Sequence, residues 1–267
     1  MANADYFTPV NSVAMCKCMI QLEHLEVAYD QSRFVLTVES LSIKSGERVA
    51  IIGPSGAGKS TLLRCLKGFV QPRRGKVDVF GVNLACSHQR ARKAMNQRVA
   101  MIYQQFNLIQ RLSVLDNALC GRLGRTHRWR SLLGWFTLDD LRMAWAAIVE
   151  VGLTEKVHQR VDSLSGGEQQ RVAVARAITQ EPELILADEP ISSLDPAWAV
   201  DVLELLITVQ RHHKATLVMT LHQPDLARRF ADRIVGLRNG RIVWDGPANE
   251  VTDKILETIY EDERKDS

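Results

Sequence analysis

The sequence predicts an α/β fold in which short buried strands carry a ligand site at their carboxyl ends, and three observations support this prediction. The apolar segment 47–52 is followed by a glycine-rich loop and then by a helix-like segment, 61–68. A second apolar run, 184–187, ends in two carboxylates, as a parallel strand buried on both faces can do. The 267 residues, 46% hydrophobic and 24% charged, suffice for one large α/β domain, with or without a subdomain.

The glycine-rich loop is the most specific of these features, because it matches the pattern G-x-x-x-x-G-K-[ST] in full. Glycines let successive backbone N–H groups face one anion, and the helix that follows points its positive end at the same place. We expect Lys59 to contact the β- and γ-phosphates of a nucleotide and Ser60 to ligate Mg²⁺. An ordinary glycine turn is the alternative, which the flanking strand and helix disfavour, so the loop predicts a P-loop NTPase. The predicted phosphate-binding residues are Gly53, Pro54, Ser55, Gly56, Ala57, Gly58, Lys59, Ser60 and Thr61.

A second glycine pair lies in residues 164–171, Leu-Ser-Gly-Gly-Glu-Gln-Gln-Arg. Ser165 is a good helix N-cap, and Glu168 three residues later completes a capping box. Gly166 and Gly167 leave the first helical turn bare, so a phosphate could approach the backbone N–H groups. Taken alone, these residues are equally compatible with an ordinary capped helix.

Two carboxylates, Asp188 and Glu189, end the apolar run 184–187. Ligands bind at the carboxyl ends of strands in open α/β sheets. We therefore expect Asp188 to hold Mg²⁺ through water and Glu189 to polarise the attacking water as general base. A core strand that merely meets a polar loop is the alternative, and the complete phosphate loop disfavours it.

Residues 164–171, lying between the phosphate loop and the two carboxylates, resemble the signature sequence of the ATP-binding-cassette (ABC) ATPases. The resemblance implies ATP as the nucleotide and roles for further residues. Gln104 matches the glutamine that senses Mg²⁺ and contacts the transporter partner. Asp195, in the Ser-Leu-Asp run 193–195, matches a loop that crosses the dimer interface, and His222 matches the histidine that contacts the γ-phosphate. Tyr29 corresponds to the aromatic residue that stacks on adenine, with a surface tyrosine as the alternative.

The resemblance also implies the domain organisation, one ABC ATPase domain with a RecA-like core, an antiparallel β subdomain and an inserted α-helical subdomain. Glu168 departs from the family's commoner glutamine and adds a carboxylate near the phosphate site. The expected boundaries are a poorly ordered N-terminal extension at 1–18, the domain at 19–262, its core at about 19–105 and 163–250, its helical subdomain at about 106–162, and a C-terminal helix and charged tail at 251–267.

The individual elements follow from the spacing of apolar residues. Partial alternation predicts antiparallel strands at 20–29 and 34–43. Strand signals stop between 106 and 164, where helical spacing appears. The other predicted strands are 48–52, 76–80, 99–103, 184–187 and 216–220, with a hairpin of 233–237 and 241–244 around Asn239-Gly240.

Charge, cysteine content and hydropathy disfavour several classes of protein. The formal net charge of +3 does not argue for a nucleic-acid partner, and we expect none. The five scattered cysteines predict reduced thiols, and the pair Cys16 and Cys18 lacks the second pair or nearby histidines of a metal site. No apolar run approaches the roughly 18–20 residues that span a bilayer, and we expect no secretory signal.

The resemblance extends to the ATPases of phosphonate importers, over roughly residues 20–260, and rests on residues 101–107, 111–117, 121–126, 129–136, 221–227 and 230–238. The segment 121–137 is the most specific part and carries a basic cluster. One interpretation is a solvated loop whose aromatic side chains pack into the helical subdomain. The other is contact with anionic lipid headgroups or with a cytoplasmic helix of the permease. The cluster comprises Arg122, Arg125, His127, Arg128 and Arg130, with Trp129, Trp135 and Phe136 beside it.

We therefore expect an ATPase subunit that energises the import of phosphonates, phosphite or hypophosphite. The resemblance implies a head-to-tail dimer with a second copy, in which Ser165 and Gly167 of one copy face the phosphate held by Lys59 of the other. It also implies transmembrane permease subunits, an extracytoplasmic binding protein, and a peripheral position on the cytoplasmic face of the inner membrane. The alternatives are an ABC ATPase of another import system, one acting in DNA repair or translation, and a regulator that does not hydrolyse nucleotide.

Overall fold

The computed structural model describes residues 18–29, 34–125, 136–192 and 195–261, and these residues build one ten-stranded mixed sheet with helices packed on it. The strand order is β5-β4-β1-β2-β10-β9-β3-β8-β7-β6. The strands are β1 (Cys18–Val27), β2 (Leu36–Lys44), β3 (Arg48–Ile52), β4 (Arg74–Val79), β5 (Val82–Asn83), β6 (Val99–Ile102), β7 (Leu184–Ala187), β8 (Thr216–Thr220), β9 (Arg233–Arg238) and β10 (Arg241–Pro247).

The sheet has a parallel half and an antiparallel half, as the sequence predicts. Strands β9, β3, β8, β7 and β6 pair in parallel, so their carboxyl ends lie along one edge. Strands β1, β2, β4 and β5 pair antiparallel at the other end of the sheet. Every residue of β7 and β8 is buried from solvent, because helices cover both faces of the sheet there.

The helices cover the sheet and supply the region between β6 and β7. Among the described residues, the α-helices are α1 (Lys59–Lys67), α2 (Gln89–Arg98), α3 (Val114–Leu119), α4 (Leu138–Glu150), α5 (Gly166–Thr179), α6 (Pro196–His213), α7 (Pro224–Phe230) and α8 (Asp253–Tyr260). Two hydrophobic cores result, one between the sheet and α3 to α7, the other around α1 and the antiparallel strands.

Most predicted elements agree with the structure to within a few residues. Strands β3, β7 and β8 have the predicted bounds, and Asn239 and Gly240 turn the hairpin with φ of 48° and 75°. Within residues 106–162, the described part of the chain is helical with short turns and one isolated bridge between Ser113 and Arg160. Strand β1 begins at Cys18, inside the segment predicted as an extension. In the described ranges, no helix is both long and apolar enough to cross a bilayer.

Candidate functional site

The phosphate loop, residues 53–60, connects the buried end of β3 to the start of α1. Glycine is required at position 53, because a Cβ atom there would lie 2.0 Å from the carbonyl oxygen of Leu237. Gly56 and Gly58 take positive φ values of 82° and 101°, which curl the backbone back on itself. The first N–H groups of α1 therefore point into the concave side of the loop, where a phosphate would be stabilised.

Lys59 is buried, and its ammonium group lies over the loop. The Nζ atom donates to the carbonyl oxygens of Gly53 at 2.8 Å and Pro54 at 2.9 Å. Burial lowers the pKa of Lys59, while the carboxylates of Glu189 and Asp188 act in the opposite direction and favour the charged form. The structure thus holds a desolvated cation at the loop, in reach of the anionic group that the loop would bind.

Ser60, Asp188 and Thr220 form a hydrogen-bonded group at the ends of α1, β7 and β8. Ser60 donates from Oγ to Asp188 Oδ1 over 2.8 Å, and Thr220 donates from Oγ1 to the same oxygen over 3.1 Å. A hydroxyl and a carboxylate oxygen at this separation are the hard oxygen donors that Mg²⁺ prefers. These residues fit a magnesium site, with Ser60 and Asp188 as the pair that could hold the ion.

Glu189 lies next to this group in a left-handed backbone conformation, with φ of 49°. Its N–H donates to Thr220 Oγ1 over 2.8 Å, which fixes the backbone at this unfavourable angle. Its carboxylate Oε1 lies 2.6 Å from Nε2 of His222, which follows β8. The sequence predicted the presence of Glu189 and His222 in one site, and the structure brings their side chains into contact.

Tyr29 and Gln104 are two exposed residues that the sequence assigns to nucleotide binding. Tyr29 is exposed, and its hydroxyl lies 3.2 Å from Oγ1 of Thr61 in the first turn of α1. Gln104 is exposed two residues after β6, whose last residue, Ile102, pairs with Ala187. Gln104 therefore emerges at the same sheet edge as Asp188, while the exposed ring of Tyr29 leaves its face available to a planar ligand.

The signature segment, residues 164–171, starts helix α5. Ser165 Oγ accepts from the N–H of Glu168, and Glu168 Oε2 accepts from the N–H of Ser165, which is the predicted capping box. Glu168 also pairs with Lys156, and this contact, with the Ser165 N–H, lowers the pKa of its carboxyl group. Ser165 and Gly166 are exposed.

Gly167 is buried because the indole of Trp198 lies over it. A Cβ atom at position 167 would come within 3.2 Å of the Trp198 ring. Asp195, three residues earlier in the chain than Trp198, occupies the N-cap position of α6 and is exposed. The other two residues of the predicted interface loop, Ser193 and Leu194, lie outside the described residues.

A cavity of about 260 Å³ lies over the phosphate loop. The described residues that line it are Val35, Ser55, Gly56, Gly58, Lys59, Ser60, Thr61 and Glu189. The signature segment is not among these lining residues, although the sequence resemblance assigns it to the same chemistry. Among the described residues of a single chain, the signature segment therefore lies outside the cavity over the phosphate loop.

Thr220 and Tyr260 belong to the site and were missed from the sequence. Thr220 is fully buried and connects Asp188 to Glu189 through its hydroxyl. Tyr260, in the last turn of α8, donates from its hydroxyl to the carbonyl oxygen of His222 over 3.4 Å. Burial raises the pKa of Tyr260, and a hydrogen bond with the backbone of Gly53 acts in the opposite direction. The position of Thr220, at the end of the strand that precedes His222, could have indicated that it belongs to the site. No feature of the sequence around Tyr260 indicates such a role.

The described part of the basic cluster is engaged within the protein. Arg122 contacts Asp140 at 2.7 Å and Glu181 at 2.8 Å, and Arg125 lies 3.4 Å from Glu181. Arg122 is largely buried, so its role is to join α3 and α4 to the end of α5. The burial of Arg122 does not fit the solvated loop of the first interpretation. His127, Arg128, Trp129, Arg130 and Trp135 lie outside the described residues.

The arrangement can bind a polyphosphate, hold a divalent cation and activate water beside it. The loop and Lys59 supply positive potential, Ser60 and Asp188 supply oxygen ligands, and Glu189 supplies a proton acceptor. These groups converge because the parallel strands β3, β7 and β8 end at one edge of the sheet. The chemistry that this combination supports is phosphoryl transfer to water.

Comparisons with known proteins agree with this geometry. The model of the ABC transporter family matches residues 36–192. The phosphonates import ATP-binding protein PhnC of Stutzerimonas stutzeri is 49% identical over 226 residues, covering 82% of each chain. The PhnC 3 protein of Halalkalibacterium halodurans is 41% identical over 242 residues, covering 91% of this chain and 94% of the relative.

Solved structures show the same fold. The dimeric post-hydrolysis state of the ATP-binding cassette MJ0796, bound to ADP and phosphate, matches with a TM-score of 0.74 at 29% identity, covering 86% of this chain and 99% of the other. A nucleotide-free cassette from an ABC transporter matches with a TM-score of 0.76 at 22% identity, covering 91% and 95%. The latter likeness concerns the fold alone.

Proposed function

This chain belongs to the ABC transporter family and is an ATPase, and we propose that it energises an importer of phosphonates or related reduced phosphorus oxyanions such as phosphite and hypophosphite. One observation carries the ATPase assignment: Lys59, Asp188, Glu189 and His222 converge at the ends of three parallel strands. The cargo assignment rests on relatives that are 41% and 49% identical and are named for phosphonate import.

Each residue of the site has a distinct part in the proposed hydrolysis. Lys59 and the N–H groups of the loop bind the β- and γ-phosphates, since the ammonium group is already held at the loop and needs little reorganisation. Ser60 and Asp188 would hold Mg²⁺, with Gln104 at the same sheet edge. The ion would neutralise negative charge on the phosphates.

Glu189 acts as the general base and His222 as the residue that positions it. The Glu189 carboxylate accepts the proton of the attacking water, and the 2.6 Å contact with His222 keeps one carboxylate oxygen in place. The Thr220 hydroxyl fixes the Glu189 backbone and the Asp188 carboxylate relative to each other, because it is hydrogen-bonded to both. Tyr29 stacks on the adenine ring beside the loop.

A second copy of the chain completes the site in this proposal. The cavity over the phosphate loop lacks the signature segment among its described lining residues, while Ser165 and Gly166 are exposed outside this cavity. In a head-to-tail dimer, these two exposed residues face the γ-phosphate held by the partner copy, and Asp195 lies at the interface. Hydrolysis then depends on closure of the dimer.

Membrane-embedded permease subunits convert this closure into transport, and an extracytoplasmic binding protein selects the cargo. The chain accordingly acts at the cytoplasmic face of the inner membrane as a peripheral subunit. We propose no nucleic-acid partner, in line with the net charge of +3.

The dimer is tested by size-exclusion chromatography of the Glu189→Gln variant with ATP and Mg²⁺. The variant should elute at twice the monomer mass, because closed sites no longer discharge by hydrolysis. Adding Ser165→Arg, an exposed position, should return it to the monomer. Equal elution volumes for both proteins with ATP would overturn the proposed dimer and leave the P-loop chemistry intact.

The cargo is tested by uptake of a radiolabelled phosphonate into cells that lack the gene and carry it on a plasmid. Uptake should need the plasmid and should be competed by excess unlabelled phosphonate, while inorganic phosphate competes poorly. Competition by phosphate alone would assign the chain to another import system.

A further inference from the structure

We propose that Glu150, His212 and His213 form a binding site for one divalent transition-metal ion of the Zn²⁺ class. The proposal concerns a surface far from the phosphate loop in the chain and does not depend on the proposed cargo. Glu150 is the last residue of α4, and the two histidines end α6. These three described residues bring two imidazole rings and one carboxylate together.

The ligand atoms already lie close to one another. His212 Nδ1 is 3.1 Å from Glu150 Oε1, and His213 Nε2 is 3.2 Å from Glu150 Oε2. All three ligand atoms lie within 4.8 Å of one another. Tetrahedral Zn²⁺ with bonds of about 2.0–2.2 Å to nitrogen and oxygen has neighbouring ligand atoms roughly 3.3–3.5 Å apart. The two nitrogen–oxygen distances are close to this value, and the widest separation among the ligand atoms, at most 4.8 Å, has to shorten by at most about 1.3–1.5 Å on binding.

The composition of the cluster favours a metal ion over a simple ion pair. A simple ion pair needs only one imidazolium to balance the charge of one carboxylate. Here two imidazole rings, with their centroids 4.9 Å apart, contact the same carboxylate. Two neutral imidazoles with one carboxylate are a known donor set for Zn²⁺, and water supplies the fourth ligand. The oxygen-rich pair of Ser60 and Asp188 suits Mg²⁺ instead, so the two sites differ in the ion that they select.

Exposure also suits binding. The side chains of Glu150 and His213 are partly buried, which restricts their positions, while the side chain of His212 is 71% exposed and leaves an entry path. Arg171 donates to the carbonyl oxygen of the neighbouring Val151 over 2.9 Å. This nearby positive charge and the single carboxylate predict weaker binding than in a closed four-ligand structural site.

A bound ion would connect two parts of the chain. Glu150 belongs to the region between β6 and β7, and the histidines belong to the helix that follows β7. Helix α4 packs on α5, and α5 packs on α6. A metal ion shared by the ends of α4 and α6 would therefore tie this inserted region to the core and raise the thermal stability of the full chain.

The test uses the full-length, nucleotide-free protein in excess Mg²⁺, which occupies the oxygen-rich site. Co²⁺ binding is followed by visible absorption, Zn²⁺ then displaces it, and Zn²⁺ stoichiometry is measured by equilibrium dialysis. The variants are His212→Ala and Glu150→Gln. Because His212 is exposed, its replacement should leave folding unaffected. The matched control is His24→Ala, because His24 also lies 3.1 Å from a carboxylate, that of Glu39, but as a single exposed imidazole.

We expect one ion per chain in the wild type and in His24→Ala, with affinity about tenfold or more lower in the other two variants. Zn²⁺ should raise the melting temperature of the same two binding proteins only. No binding by the wild type, equal binding by all four proteins, or a cobalt–thiolate charge-transfer band that assigns the ion to cysteines would each overturn the proposal.

Discussion

Replacing Thr220 by valine tests whether one buried hydroxyl organises the proposed catalytic residues. Thr220 Oγ1 accepts the N–H of Glu189 at 2.8 Å and donates to Asp188 Oδ1 at 3.1 Å. Valine has nearly the same shape but offers neither bond. Asp188 keeps Ser60 as a donor, whereas the Glu189 N–H loses its acceptor at a φ of 49°.

The expected loss of stability is about 1–3 kcal/mol, the cost of one unsatisfied buried donor. Release of the Glu189 backbone should also lower kcat by roughly 10- to 100-fold, because misplacement by about 1 Å can cost two orders of magnitude. The measurements are phosphate release under saturating ATP and Mg²⁺, and urea unfolding of the same preparations.

Thr216→Val is the matched control. Thr216 is equally buried at the other end of β8, and its Oγ1 accepts the N–H of Gly46 at 2.8 Å. This variant should lose similar stability and keep its kcat. If both variants showed the same kcat, the proposed link from Thr220 to catalysis would be refuted.

Four further outcomes are expected. Lys59→Ala should lose at least about 1.5–3 kcal/mol of ATP binding in calorimetric titration, and near-normal affinity would contradict the loop assignment. Glu189→Gln should bind ATP normally and hydrolyse it at least about 100-fold more slowly, and a smaller loss would reassign the general base. Burial lowers the pKa of Lys67 to about 8 from 10.5. Between pH 8 and 10.5 the unfolded chain therefore binds more protons than the folded chain, so folding becomes more favourable as the pH rises. The difference in unfolding free energy between the wild type and Lys67→Met should accordingly rise by about 1–3 kcal/mol from pH 8 to 10.5. A difference that does not change with pH would contradict this. Tyr260→Phe should lower kcat several-fold with little change in ATP affinity, because the Tyr260 hydroxyl donates to the backbone carbonyl of His222. An unchanged kcat would show that Tyr260, and with it α8, has only a structural role.

The parts of the site that local sequence encodes were predictable. The phosphate loop and the Asp188–Glu189 pair are contiguous motifs whose flanking apolar runs fix their place at strand ends. The capping box of Ser165 and Glu168 likewise depends on residues three apart. The bounds of β3, β7 and β8 were predicted accurately because each strand is short and has a buried apolar interior.

Contacts between distant segments were not predictable. The partner of Glu168 is Lys156, and the phenol beside the phosphate loop comes from Tyr260, about two hundred residues later in the chain. The basic cluster shows the same limit, because Arg122 is neutralised by Asp140 and Glu181 from two other segments. Spacing along the chain carries no signal for such pairs, which depend on how the helices pack.

Growth on a phosphonate as sole phosphorus source tests the central claim most directly. A strain lacking this gene should fail to grow on the phosphonate and grow normally on phosphate. A plasmid carrying the wild-type gene should restore growth, and one carrying Glu189→Gln should not, because uptake requires hydrolysis at this site. Undiminished growth of the deletion strain on phosphonate, phosphite and hypophosphite, with no second copy of the gene, would contradict the account.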